Sequence, residues 1–257
     1  MPLHPYSIDS TRLERIADRY LETKPPGFGY GTVRDFCDSV EYLPELSTIN
    51  HDLKDAQRPW MLKAILGQVP RGGTVLEIGG GDPHVAHWLS LLGYKVWIVD
   101  PYDGTGTGPT EYDFYQTNYP KLNLVRKYFT DDMPELPVAG IDCIYSISVL
   151  EHVPHPALAP VIAGIKKYSK LRAPSIHALD HVVKGSGDQW HLQSLHILAA
   201  GLGMKSDDLD QTVKRAAEDA ETYFLSAESH NMWRGAIPYD QFPMRRCISV
   251  QLCGIIR

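Results

Sequence analysis

The stretch that most constrains this chain is Thr74–Pro83, TVLEIGGGDP. An apolar run from Thr74 to Ile78 carries one acid, Glu77, and breaks into the consecutive glycines Gly79, Gly80 and Gly81. A helix-like segment, HVAHWLSLLGY, follows. Strand, tight turn and helix in that order open a parallel α/β unit. Glycines let the backbone approach a ligand closely, and the helix N-terminus behind them aims N–H groups at the same place. At 257 residues and 43% hydrophobic content, the chain can bury a full core as one decorated domain.

Downstream, strand-like and helix-like runs alternate, the pattern of an α/β sheet. Strands are expected at 74–78, 95–100, 122–129, 141–148 and 175–182, with helices at 84–92, 157–169, 189–202 and 207–221. A Gly/Thr-rich loop covers 103–110. Late strands at about 222–229 and 247–255 lie too close for a crossover helix and are expected to pair antiparallel. Upstream, helical spacing predicts helices over 8–22, 32–41 and 55–67, with a breaker cluster at 24–31 and a loop at 42–54. The expected fold is therefore α/β: a Rossmann-like, mostly parallel seven-stranded sheet with an antiparallel last strand and an N-terminal helical lid. Residues 1–70 are expected to be a cover rather than an independent domain, and 71–257 the ligand-binding domain.

Composition narrows the partners. A net charge of -6 argues against a large nucleic-acid footprint. Cys37, Cys143, Cys247 and Cys253 form no CxxC pair, so neither a zinc knuckle nor a disulfide scaffold is expected. The first twenty residues lack the apolar core of a signal peptide, and no stretch is long enough to span a membrane. A reducing cytoplasm is the simple expectation, with a homo-oligomer left open.

The glycine turn fails the dinucleotide pattern GxGxxG, because His84 stands at the third glycine position. No GK[ST] follows for a Walker loop. What remains is an acid two residues before the first glycine. Glu77, Gly79 and Gly81, with Pro83 in place of a last glycine, resemble the first motif of the class I S-adenosylmethionine-dependent methyltransferases. The resemblance runs through about 75–257. It implies that Asp100, ending VWIVD, binds ribose hydroxyls, with Pro101 and Tyr102 beside the adenine. It implies that Asp131 or Asp132 stands near the adenine amino group, and that the backbone from Ser146 to Ser148 passes under the cofactor. Gly80 belongs to the same turn. The implied cofactor is S-adenosylmethionine, and the implied activity is methyl transfer to a small-molecule acceptor, at oxygen or else nitrogen. A non-catalytic cofactor-binding scaffold, or another nucleotide-cofactor enzyme on the same sheet, is the alternative.

Ligands of such sheets bind at the carboxyl ends of the strands, so catalytic candidates are sought after the fourth and fifth expected strands. His152, His181 and His191 are the candidate proton acceptors there. Period-two geometry puts His177, Leu179 and His181 on one face and Asp180 on the other. The spacing of His181, Asp188 and His191 matches no metal motif, so no metal is expected. Glu228, His230, Asn231, Trp233 and Arg234 could shape an acceptor pocket or clamp an anionic group.

Overall fold

The computed structural model describes residues 2–105, 108–184, 188–225, 231, 238 and 246–257. A seven-stranded sheet runs through it. In chain order the strands are β1 (Phe28–Tyr30), β2 (Thr74–Ile78), β3 (Lys95–Val99), β4 (Leu122–Val125), β5 (Cys143–Ile147), β6 (Pro174–Lys184) and β7 (Arg246–Ile255). Their spatial order is β1-β7-β6-β5-β2-β3-β4. Strands β2 to β6 pair parallel, and β7 lies antiparallel between β6 and β1. The order reverses between β2 and its neighbours β3 and β5, and that switch point opens a crevice at the strand ends. Register brings Glu77 level with Ile98 on one side and Tyr145 on the other.

Helices cover both faces: α1 (Ser10–Tyr20), α2 (Val33–Tyr42), α3 (Pro44–Ser47), α4 (Lys54–Leu66), α5 (His84–Leu91), α6 (Tyr112–Asn118), α7 (His155–Tyr168), α8 (Asp188–Gly201) and α9 (Ser206–Glu218). One core joins Leu13, Ile16, Met61, Leu62, Trp88 and Val85 to the sheet residues Val75, Ile98, Cys143, Tyr145 and Ala178. The other joins Leu158, Ile165, Leu195 and Leu209 to Leu76, Ile78, Ile144, Leu179 and Val250. Alternate strand residues thus feed opposite faces, as the pleat requires. Helices α1 and α2 start at side-chain caps, Asp9 accepting from Arg12 N (3.0 Å) and Thr32 from Asp35 N (3.1 Å).

Helix α4 is buried along its whole length from Asp55 to Leu66. Its polar side chains are all partnered, as burial demands. Asp55 accepts from the backbone of Ile49, Asn50 and His51. Arg58 donates to Asn50 Oδ1 (2.8 Å), and Lys63 to Asp38 Oδ2 (2.6 Å) and Ser39 Oγ (3.0 Å).

The structure corrects several expected boundaries. The breaker cluster 24–31 contains β1, which pairs with Val250–Leu252 at the sheet edge. Pro25 and Pro26 come just before it, and proline is tolerated beside a strand at a sheet edge. Of the expected strand 222–229, Thr222 and Phe224 form isolated bridges to Thr32 and Ile248, continuing that edge, and residues from 226 lie outside the described set. The seventh strand is therefore β1. The expected loop 42–54 holds α3, started by Pro44, and the chain after the Gly/Thr-rich loop forms α6. The strand expected at 122–129 stops at Val125.

A Cβ added at Gly67, just past α4, would lie 1.9 Å from the carbonyl oxygen of Thr23. Gly67→Ala must push α4 from the connection after α1. We expect it to cost roughly 1–3 kcal/mol. Urea unfolding checks this: the midpoint falls with an unchanged slope, whereas an unmoved midpoint would show that the two segments are not in contact.

Candidate active site

The glycine turn sits at the carboxyl end of β2. Gly79 and Gly81 have φ of +66° and +48°, values that L side chains adopt only under strain. A Cβ at Gly79 would meet Val149 Cγ1 at 2.6 Å, and one at Gly80 would meet Ile98 Cγ2 at 2.6 Å. Asp100 fixes the turn from the end of β3: Oδ2 accepts from Gly81 N (3.0 Å) and Oδ1 from Tyr102 N (2.7 Å). Burial raises the Asp100 pKa, and those two backbone donors oppose the rise. Pro83 takes the N-cap position of α5.

Glu77 is 4% exposed, and its Oε2 accepts from Tyr145 OH at 3.0 Å. Burial pushes its pKa up to about 8, against the opposing pull of Tyr145 and Arg58. Asp82, inside the turn, accepts from Leu3 N (2.8 Å) and from Tyr115 OH. The extreme N-terminal segment is thereby tied to the turn.

These groups open onto a cavity of about 580 Å³, within the usual range for small-molecule sites. Its wall includes Glu77, Gly79, Gly80, Gly81, Asp100, Pro101, Ser148 and His152. Tyr102 is buried behind that wall at φ +49°, and Ser146 is buried with its Oγ 2.8 Å from His177 Nδ1. Asp131 and Asp132 are exposed and outside the lining, which there consists of Tyr128, Phe129 and Thr130. The Asp131 carbonyl is held by Lys167 Nζ (2.7 Å) and Tyr168 OH (3.0 Å), which anchors that loop against α7.

The three candidate histidines do not share a wall. His152 lines the cavity with its side chain 55% exposed. His191, on α8, is buried, with ring centroids 6.3 Å apart between the two. His181 is buried on β6 and does not line the cavity. Desolvation lowers the pKa of both His152 and His191, with Asp180 opposing it, which favours the neutral rings. The side chain of Asp188, and Glu228, His230, Trp233 and Arg234, lie outside the described residues.

Asn50, Lys54, Gln57 and Arg58 were not anticipated from sequence, whereas Ser148 was. Asn50, Lys54, Arg58 and His84 also line the cavity, the first three from the N-terminal cover. Behind His152, Ser148 Oγ lies 2.7 Å from Gln57 Oε1 and 2.9 Å from Asp180 Oδ1, and Gln57 Nε2 donates to that same Oδ1 (2.9 Å). Ser148 has φ +50°, so the chain bends sharply as it leaves β5. Glu151 is wholly buried, accepts from Asp180 N (2.8 Å), and has its pKa raised by burial and by the Asp180 charge.

Glu77 also generates a pH test. Its folded pKa is raised above that of an unfolded glutamate, so it disfavours folding increasingly as pH climbs from about 4.5 to about 8. Glu77→Gln has no such penalty. Relative to the natural chain, the Gln variant should gain stability between pH 5 and 8.5, on the order of a few kcal/mol. Parallel pH–stability curves for the two would show that Glu77 is ionised in the folded state.

Comparison with known proteins agrees with this geometry. A family model described as a methyltransferase domain matches residues 49–189, which contain the glycine turn, Asp100, Ser148, His152 and Asp180. Sequence comparison with curated proteins finds no match. Among solved structures, geranyl diphosphate C-methyltransferase from Streptomyces coelicolor, solved with Mg²⁺, geranyl diphosphate and S-adenosylhomocysteine, superposes with a TM-score of 0.51 at 12% identity, covering 96% of this chain and 98% of that one. Phosphoethanolamine N-methyltransferase 2 from Haemonchus contortus, in complex with S-adenosylmethionine, gives 0.50 at 12% identity, covering 97% and 74%. At such identities the likeness is one of fold. With the family model covering more than half its length, the chain belongs to the methyltransferase-domain family, within the class I S-adenosylmethionine-dependent methyltransferases.

Proposed function

We propose that this chain transfers the methyl group of S-adenosylmethionine to a small-molecule acceptor, at oxygen or else nitrogen. The observation that supports this best is the sharing of one cavity by the Asp100-anchored glycine turn and the neutral imidazole of His152. The residues present suit the donor. Gly79 and Gly80 line the cavity with no side chain of their own, and Asp100 keeps acceptor capacity beyond its two backbone bonds for ribose hydroxyls. Pro101 lies beside it on the wall. Arg58 and Lys54 offer positive charge for a carboxylate, and Glu77 and Asp82 offer acceptors for an ammonium group.

When bound, the donor supplies a methyl already activated by a positive sulfur. The protein's work is therefore to orient the acceptor and manage its proton. His152 is the candidate histidine that faces the cavity, and its neutral ring can hold an acceptor hydroxyl and take its proton. Asn50, Lys54 and Arg58 roof the same space, which favours a small acceptor over a polymer, as does the net charge of -6. The acceptors of the fold neighbours, geranyl diphosphate and phosphoethanolamine, are small molecules too.

Two measurements test the assignment. Asp100→Ala should raise the Kd for S-adenosylhomocysteine about tenfold or more by calorimetry, because two hydroxyl bonds and the anchor of the turn go together. An unchanged Kd would place the ribose elsewhere. His152→Ala should leave that Kd within about twofold and lower kcat roughly 100-fold in an acceptor screen with labelled donor. Full turnover by this variant would remove His152 from the chemistry.

A further inference from the structure

We infer that Glu151, His152 and Asp180, with His191 beside them, form a binding site for one transition-metal dication at the acceptor end of the cavity. One ligand atom from each of the first three lies within 4.8 Å of the others. That is the spread of donors around a single ion. A second, independent observation points the same way. Glu151 is 0% exposed, yet its Oε2 has no hydrogen-bond partner, and buried carboxylate oxygens are rarely left so. His191 Nδ1 is also buried without a hydrogen-bond partner, on the ring that faces His152 edge-on.

The surrounding bonds orient these groups as the outer partners of metal ligands do. Asp180 Oδ1 is held by Gln57 Nε2 and Ser148 Oγ, both at 2.9 Å. Glu151 Oε1 is held by Asp180 N at 2.8 Å. One oxygen of each carboxylate is thus fixed while the pair is kept close despite like charge. The donor set of imidazole and carboxylate suits Mn²⁺, Fe²⁺ or Zn²⁺ better than the oxygen-seeking Mg²⁺ or Ca²⁺. Sequence spacing hides the site, because Asp180 comes from β6 and the Glu151–His152 pair from the turn after β5.

The role of the ion rests on the methyl-transfer reading, although its binding does not. His152 lines the cavity, so an ion on its nitrogen could also take an acceptor oxygen. A ligated hydroxyl releases its proton to solvent more readily and keeps the electron pair for attack. The His152 lone pair then serves the ion rather than the proton.

The test uses the full chain, stripped with EDTA and dialysed. Titration with Mn²⁺ and with Zn²⁺ by calorimetry, and Mn²⁺ electron paramagnetic resonance, should each show one saturable ion per chain. Glu151→Gln and Asp180→Asn should weaken binding about tenfold or more, while Asp207→Asn, an exposed acid on α9, should not. Circular dichroism checks that the variants fold, and the natural chain decides the matter if they do not. No saturable ion on the natural chain, or undiminished binding by both folded variants, overturns the site. A parallel titration with S-adenosylhomocysteine separates the two readings. Cofactor binding without metal binding sinks the metal site alone, and metal binding without cofactor binding sinks the methyl-transfer reading alone.

Discussion

The carboxylate of Asp100 holds this site together. It takes one N–H from Gly81 and one from Tyr102, so a single side chain at the end of β3 ties down the turn after β2 and the turn after itself. Both donors belong to residues with positive φ, +48° and +49°. Such backbone relaxes unless something over-determines it. Charge-assisted bonds to N–H groups are strong enough to do so. Once the turn is set, Gly79 and Gly80 lie against Val149 and Ile98 with no room for a Cβ. The floor of the cavity is therefore formed by the chain itself, before any ligand arrives.

The roof depends on a different kind of constraint. Helix α4 is buried on all sides and still carries Asp55, Gln57, Arg58 and Lys63. An apolar helix could slide or rotate among neighbours of similar shape. This one cannot, because each polar group has a partner on a particular element: Asp38 for Lys63, Asn50 for Arg58, and Asp180 for Gln57. The bond from Gln57 to Asp180 joins α4 to β6 beside His152. Moving α4 would strand buried polar groups at both ends, a cost of a few kcal/mol each. Helix α4 and the strand ends it is bonded to therefore shift together or not at all.

The part of the cavity around the glycine turn was legible in the sequence because it is written contiguously. Glu77, Gly79, Gly81 and Asp100 lie within two adjacent strands and their turns, where strand ends and glycines leave a local signal. The cluster around His152 is assembled from Gln57, Ser148, Glu151, His152, Asp180 and His191, drawn from four separate elements, and no local pattern announces their meeting. Period-two geometry did separate the faces of β6. Asp180 points to Gln57 and Ser148, while Leu179 packs in the opposite core. What it could not supply was the partner across from each face. Strand β1 was hidden for another reason. The prolines just before it and the glycines in and around it read as a breaker, and only its edge position makes that neighbourhood tolerable. The acids at 131 and 132 show the converse: they fit a family position by count, yet the loop carrying them is anchored to α7 by its backbone and leaves Thr130 facing the cavity.

Burial of the carboxylates at the donor end gives the proposed chemistry a direction. Glu77 and Asp100 both have pKa values raised by desolvation, and Glu77, pushed up to about 8, largely keeps its proton at neutral pH in the ligand-free chain because ionising it there carries a cost. A cationic ligand relieves that cost, and its binding is linked to proton release from Glu77 near neutral pH. The arrangement that makes Glu77 an unfavourable residue for stability is thus the one that would favour a cationic ligand in this cavity.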